Sequence, residues 1–82
     1  MKPLIKICGI ADLKFLNEVI QINEINYLGF IFYENSPRNV TQDLLNDIKR
    51  FDFKDKRPVC VFVNASFEFI KESISYFKDP LL

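Results

Sequence analysis

Eighty-two residues with eleven basic and eleven acidic side chains carry no formal net charge, which removes the overall positive field that steers proteins to nucleic acid or anionic membranes. An apolar content of 49% beside 27% charged residues excludes disorder, because chains stay unfolded when low hydrophobicity meets high net charge. A chain this short forms one small domain and hides only about 60% of its unfolded surface, so its aromatic residues must be buried well for it to fold.

The first strand is predicted over about 4–8, Leu4-Ile5-Lys6-Ile7-Cys8. Side chains alternate across a strand, so Leu4, Lys6 and Cys8 share one face and Ile5 and Ile7 the other. Such an apolar strand is expected to be buried, and a buried Lys6 needs a carboxylate, a bound anion or a lowered pKa. After Gly9 the period changes. Leu13, Leu16, Val19 and Ile20 recur at helical spacing behind Asp12 as N-cap, which predicts a helix over about 12–23. Tyr27-Leu28-Gly29-Phe30-Ile31-Phe32-Tyr33 is aromatic and β-branched on both faces and reads as a strand over 27–33 covered on two sides. Gly29 within it signals close approach of a neighbouring backbone or large side chain.

Glu34 to Asn39 is a polar loop broken by Pro37. Thr41 caps a helix over about 41–51 with Leu44, Leu45, Ile48 and Phe51 as its apolar stripe. The run Lys54-Asp55-Lys56-Arg57 contains its own acid and reads as a solvated loop. Pro58 opens a third strand over 58–63, and Ser66 caps a helix over about 66–78 built on Phe69, Ile70, Ile74 and Phe77. Strands joined by helical crossovers are parallel and connected right-handedly. The order βαβαβα is therefore an α/β segment, read either as a small open sheet or as part of something larger. Three such strands leave two unpaired edges, at strands one and three.

Two cysteines, Cys8 and Cys60, are fewer than a secreted disulfide framework of this size carries, so reduced thiols and a cytoplasmic location are expected. No apolar run reaches membrane-spanning length, and Lys2 and Lys6 interrupt the run a signal peptide needs. The sequence holds no histidine, which excludes Cys/His or Ser/His pairs and imidazole metal sites. Its two glycines build neither a P-loop nor a dinucleotide fingerprint. No metal and no cofactor are expected, and acid/base chemistry or simple binding remains.

Ligands of α/β folds sit at the carboxyl ends of the strands. Three polar features fall there: Cys8-Gly9, Ser36-Pro37-Arg38, and Asn64. Cys8 is either a small buried hydrophobe or, with Lys6 on the same face, a thiolate able to act as a general base. Arg38 is either a surface guanidinium or a fork for a carboxylate or phosphate. Asn64 either ends the strand or touches a ligand, and Cys60 reads as core.

Lys6-Ile7-Cys8-Gly9-Ile10, then Gly29-Phe30-Ile31-Phe32 with Ser36-Pro37-Arg38-Asn39-Val40, then Val61-Phe62-Val63-Asn64 resemble the successive signatures of phosphoribosylanthranilate isomerase. The resemblance implies one partial TIM-barrel domain over 1–82, the first three βα units of a (β/α)8 barrel. It further implies tryptophan biosynthesis and a small-molecule substrate, N-(5-phosphoribosyl)anthranilate, converted to a 1-deoxyribulose product by an Amadori rearrangement without cofactor. Cys8 is then the general base at C2, and Arg38 holds the anthranilate carboxylate. Ala11 and Cys60 depart from the threonine and glycine common in the family. The family's general acid, an aspartate on a later strand, and its phosphate pocket have no counterpart here. The segment is therefore expected to be inactive alone and to self-associate or take up a complementing barrel fragment through its open edges. The alternatives are a small α/β module binding a carboxylated or phosphorylated metabolite, and a truncated product without function.

Overall fold

Each helix begins at the polar residue that the pattern marks. Asp12 Oδ1 accepts from the Phe15 amide at 2.8 Å, Thr41 Oγ1 from Leu44 at 3.2 Å and Ser66 Oγ from Phe69 at 3.1 Å, satisfying amides that have no partner inside the helix. The computed structural model describes residues 3–82; Met1 and Lys2 lie outside the described residues. The elements are β1 (Lys6–Ile7), α1 (Leu13–Val19), β2 (Tyr27–Phe32), α2 (Gln42–Ile48), β3 (Arg57–Phe62) and α3 (Phe67–Ile74). The three strands form one parallel sheet in the order β1-β2-β3, with Lys6 opposite Tyr27 and Tyr27 opposite Arg57. Among the described residues no helix is long and apolar enough to cross a membrane.

Alternation along β2 decides where the core lies. Leu28, Phe30 and Phe32 point to the helices and are buried with Leu16, Val19, Leu44, Leu45, Ile48, Cys60 and Phe77. Phe30 stands at the centre, tilted on Phe77 at 5.2 Å and edge-on to Phe53 at 6.0 Å between ring centroids. Aromatic pairs at these separations add to the area they bury.

The other face differs from the sequence expectation. Tyr27, Ile31, Val59 and Val61 are only half-buried, and Val63 is 40% exposed. Right-handed crossovers that step in one direction, β1 to β2 to β3, lie on one face of the sheet; in a barrel the other face is covered as further strands close over it. For the same reason β1 is not buried. Leu4 is 72% exposed and Lys6 is exposed, so the ammonium needs no internal counter-charge.

The edge of β3 is also unlike the expectation. Residues past α3 return to it: the Leu81 amide donates to Pro58 O at 2.9 Å and the Cys60 amide to Leu81 O at 2.7 Å, a parallel bridge between Val59 and Leu81. Pro58 lacks its amide on this outer side, where the β2 ladder does not need it. Of the two edges predicted to be open, the outer side of β1 has no strand beside it among the described residues, and that of β3 is partly paired.

Candidate active site

The carboxyl end of β1 turns sharply. Gly9 has φ +84, a left-handed conformation that only glycine adopts without strain. The amides of Gly9 and Ile10 both donate to Gly29 O, at 3.1 and 3.0 Å, which ends the β1 ladder and sends Ile10 into the core, where it is fully buried. Cys8 is left exposed just beyond the strand. A Cβ on Gly29 would lie 3.0 Å from Cys8 Sγ, 3.1 Å from Cys8 Cα and 3.2 Å from Lys6 Cε. The thiol and the lysine stem therefore lie over Gly29 on the open face, as alternation requires.

Arg38 reaches the same place from the loop after β2. A Cβ on Gly9 would meet Arg38 Nη1 at 2.8 Å and Arg38 Cδ and Cζ at 2.9 Å, so the guanidinium stem lies across Gly9, beside Cys8 in the chain. The loop is built to hold it there. Ser36 N–H donates to Tyr33 O at 2.9 Å, Asn39 N–H to Ser36 O at 3.1 Å, and Arg38 N–H to Ser36 Oγ at 3.2 Å. Asn39 closes the loop by accepting the Tyr33 amide on Oδ1 at 2.8 Å, while its neighbour Val40 donates to Ile31 O at 2.9 Å. The role of Asn39 is one the sequence reading does not single out. Its signal is the readiness of asparagine to bond nearby backbone in turns.

Asn64 ends β3 with φ +52 and is exposed. It lines a cleft of about 580 Å³ with Tyr33, Asn35, Asn39, Ser66 and Phe69, between the loops after β2 and β3. Neither Cys8 nor Arg38 lines that cleft. The structure thus gathers Lys6, Cys8 and Arg38 around Gly9 and Gly29, with Asn64 on the adjoining rim. Cys60 is 1% exposed, and burial pushes its thiol up to about 12, so it stays protonated and inert. No group of three or more His, Cys, Asp or Glu side chains suited to a metal ion occurs among the described residues.

A thiol, an ammonium and a guanidinium on one open rim suit proton transfer to or from a carboxylated substrate. The chain is 32% identical over its whole length to N-(5'-phosphoribosyl)anthranilate isomerase of Agrobacterium fabrum. It is 38% identical over 79 residues, 92% of its length, to that of Parabacteroides distasonis. This chain is homologous to part of phosphoribosylanthranilate isomerase. It spans about a third of these relatives, 37% and 34% of their lengths. A crystal structure of mutually generated monomers of dimeric phosphoribosylanthranilate isomerase from Thermotoga maritima superposes with a TM-score of 0.67 at 32% identity, covering 89% of this chain and 36% of that one. The βαβαβα arrangement is accordingly that of part of a (β/α)8 barrel. No family model matches the sequence.

Proposed function

We propose that this chain is the base-bearing portion of a phosphoribosylanthranilate isomerase acting in tryptophan biosynthesis in the cytoplasm. The observation that carries the reading is the placement of Arg38 across Gly9, next to Cys8, in a chain homologous to such isomerases. In the proposed reaction the anthranilate carboxylate of N-(5-phosphoribosyl)anthranilate lies in the Arg38 fork, and the Cys8 thiolate removes the C2 proton. Lys6, which lies over Gly29 with Cys8, adds positive charge to the rim, and Asn64 borders the ribosyl side. No cofactor takes part. The family's aspartate acid and phosphate grip fall on later strands, so the 82 residues alone do not turn over substrate. The exposed face of the sheet and the β1 edge receive a complementing barrel fragment or a second copy.

Titration with anthranilate tests the retained half-site directly. Saturable binding that is lost in Arg38→Ala and kept in Cys8→Ser supports the assignment. Binding indifferent to Arg38 contradicts it, and an absence of binding supports a product without function.

A further inference from the structure

The amino-terminal end of β3 carries a second charged concavity, at the opposite end of the strands from Cys8 and Arg38. Lys49, Arg50, Lys54, Lys56, Arg57 and Lys78 line a cleft of about 540 Å³. Asp52, Asp55 and Asp79 line it too, leaving a local excess of positive charge in a chain with none overall. Its most buried cation is Lys56. The Lys56 side chain is 2% exposed, and among the described residues its one ion pair is with Asp55 at 3.7 Å, a carboxylate 88% exposed. That separation is too long for a hydrogen bond, and a solvated carboxylate compensates a buried ammonium poorly. Lys56 also lines the neighbouring cleft formed with Asn17, Gln21 and Asn23.

The surrounding loop holds this arrangement in place. Asp52 Oδ1 accepts the Lys54 amide at 2.9 Å, Lys54 takes a left-handed φ of 58, and the Lys56 amide donates to Phe53 O at 3.0 Å. Phe51 and Phe53, edge to face at 5.1 Å, belong to the packed layer beneath. Arg57 Nε is fixed on Asp79 O at 2.9 Å. One Asp carboxylate is thus spent on the loop backbone and one arginine is anchored at the wall.

We propose that this cleft binds a phosphate group, free or as a phosphomonoester, with Lys56 as the central ligand and Lys54 and Arg57 closing on it. The anion replaces the long contact to Asp55 and supplies the charge-assisted hydrogen bonds that a buried ammonium requires. The site is independent of the isomerase assignment, because it uses none of the residues of the Cys8 rim.

Inorganic phosphate titrated into the ¹⁵N-labelled chain at constant ionic strength tests it. Saturable shifts of the amides from Phe53 to Arg57, weakened about tenfold or more in Lys56→Met, are expected. Linear, non-saturating shifts, or saturable shifts confined to Gly9 and Arg38, overturn the proposal. Should Lys56→Met not fold, Lys54→Gln and Arg57→Gln are each expected to weaken binding several-fold, and unchanged binding in both overturns it. Ribose 5-phosphate in parallel separates the sources: tighter binding than phosphate at these amides assigns a phosphomonoester, and equal or weaker binding assigns the free anion.

Discussion

Gly9 meets two demands at once, a left-handed φ of +84 and the passage of Arg38 within 2.9 Å of where a Cβ would stand. Gly9→Ala is therefore expected to lower stability by about 1–2 kcal/mol from the backbone term alone and to push the guanidinium off the rim. Urea denaturation and anthranilate titration measure the two effects separately. Cys60 makes a different prediction. Its folded value is raised to about 12 from an ordinary value of 9.0 by burial, so between these values the unfolded chain releases a proton that the folded chain keeps. Stability contributed by Cys60 is thus complete below about pH 9 and falls as pH rises, with a slope approaching about 1.4 kcal/mol per pH unit. Urea midpoints at rising pH for the wild type and Cys60→Ala check this: the steeper decline belongs to the wild type, and parallel declines contradict it.

At the scale of elements, the cap of α2 and the loop before it have separable duties. Thr41→Ala removes the bond to the Leu44 amide and is expected to lower stability by about 1 kcal/mol, leaving anthranilate binding intact. Asn39→Ala frees the Tyr33 amide, loosens the loop that aims Arg38, and is expected to weaken anthranilate binding while the sheet survives; equal binding in the two variants contradicts that division. The caps at Asp12, Thr41 and Ser66 were legible in the sequence because a short polar residue before a 3.6-residue apolar period has one mechanical meaning. So was the crowding at Gly29, which Cys8 and Lys6 supply. Burial that depends on distant neighbours was not legible. A Lys-Asp-Lys-Arg run reads as solvated, yet Lys56 is 5% exposed because Phe51 and Phe53 bring the loop down onto the core. Lys6 reads as buried, yet it is exposed because nothing closes over that face. The bridge of Leu81 to Val59 is too short a pairing to leave any periodic trace after Pro80.

For the whole molecule, one sheet face is packed and the other waits for cover. Ile31, Val59 and Val61 on that face are half-buried, and Leu4 and Val63 are exposed. An apolar surface of this kind on a parallel sheet favours association. Sedimentation of the isolated chain is expected to show concentration-dependent self-association that a complementing barrel portion suppresses, and a monomer at all concentrations contradicts it. The relatives are about three times as long, and in the proposed account the missing acid and phosphate grip come from such a portion. The most direct measurement is turnover of phosphoribosylanthranilate by a chimera in which this chain replaces the matching third of the Agrobacterium fabrum isomerase. The account predicts an active chimera, a loss of about 10²–10⁴-fold in kcat in its Cys8→Ser variant, and no turnover by the chain alone. Undiminished activity of the Cys8→Ser chimera, or turnover by the isolated chain, would contradict it.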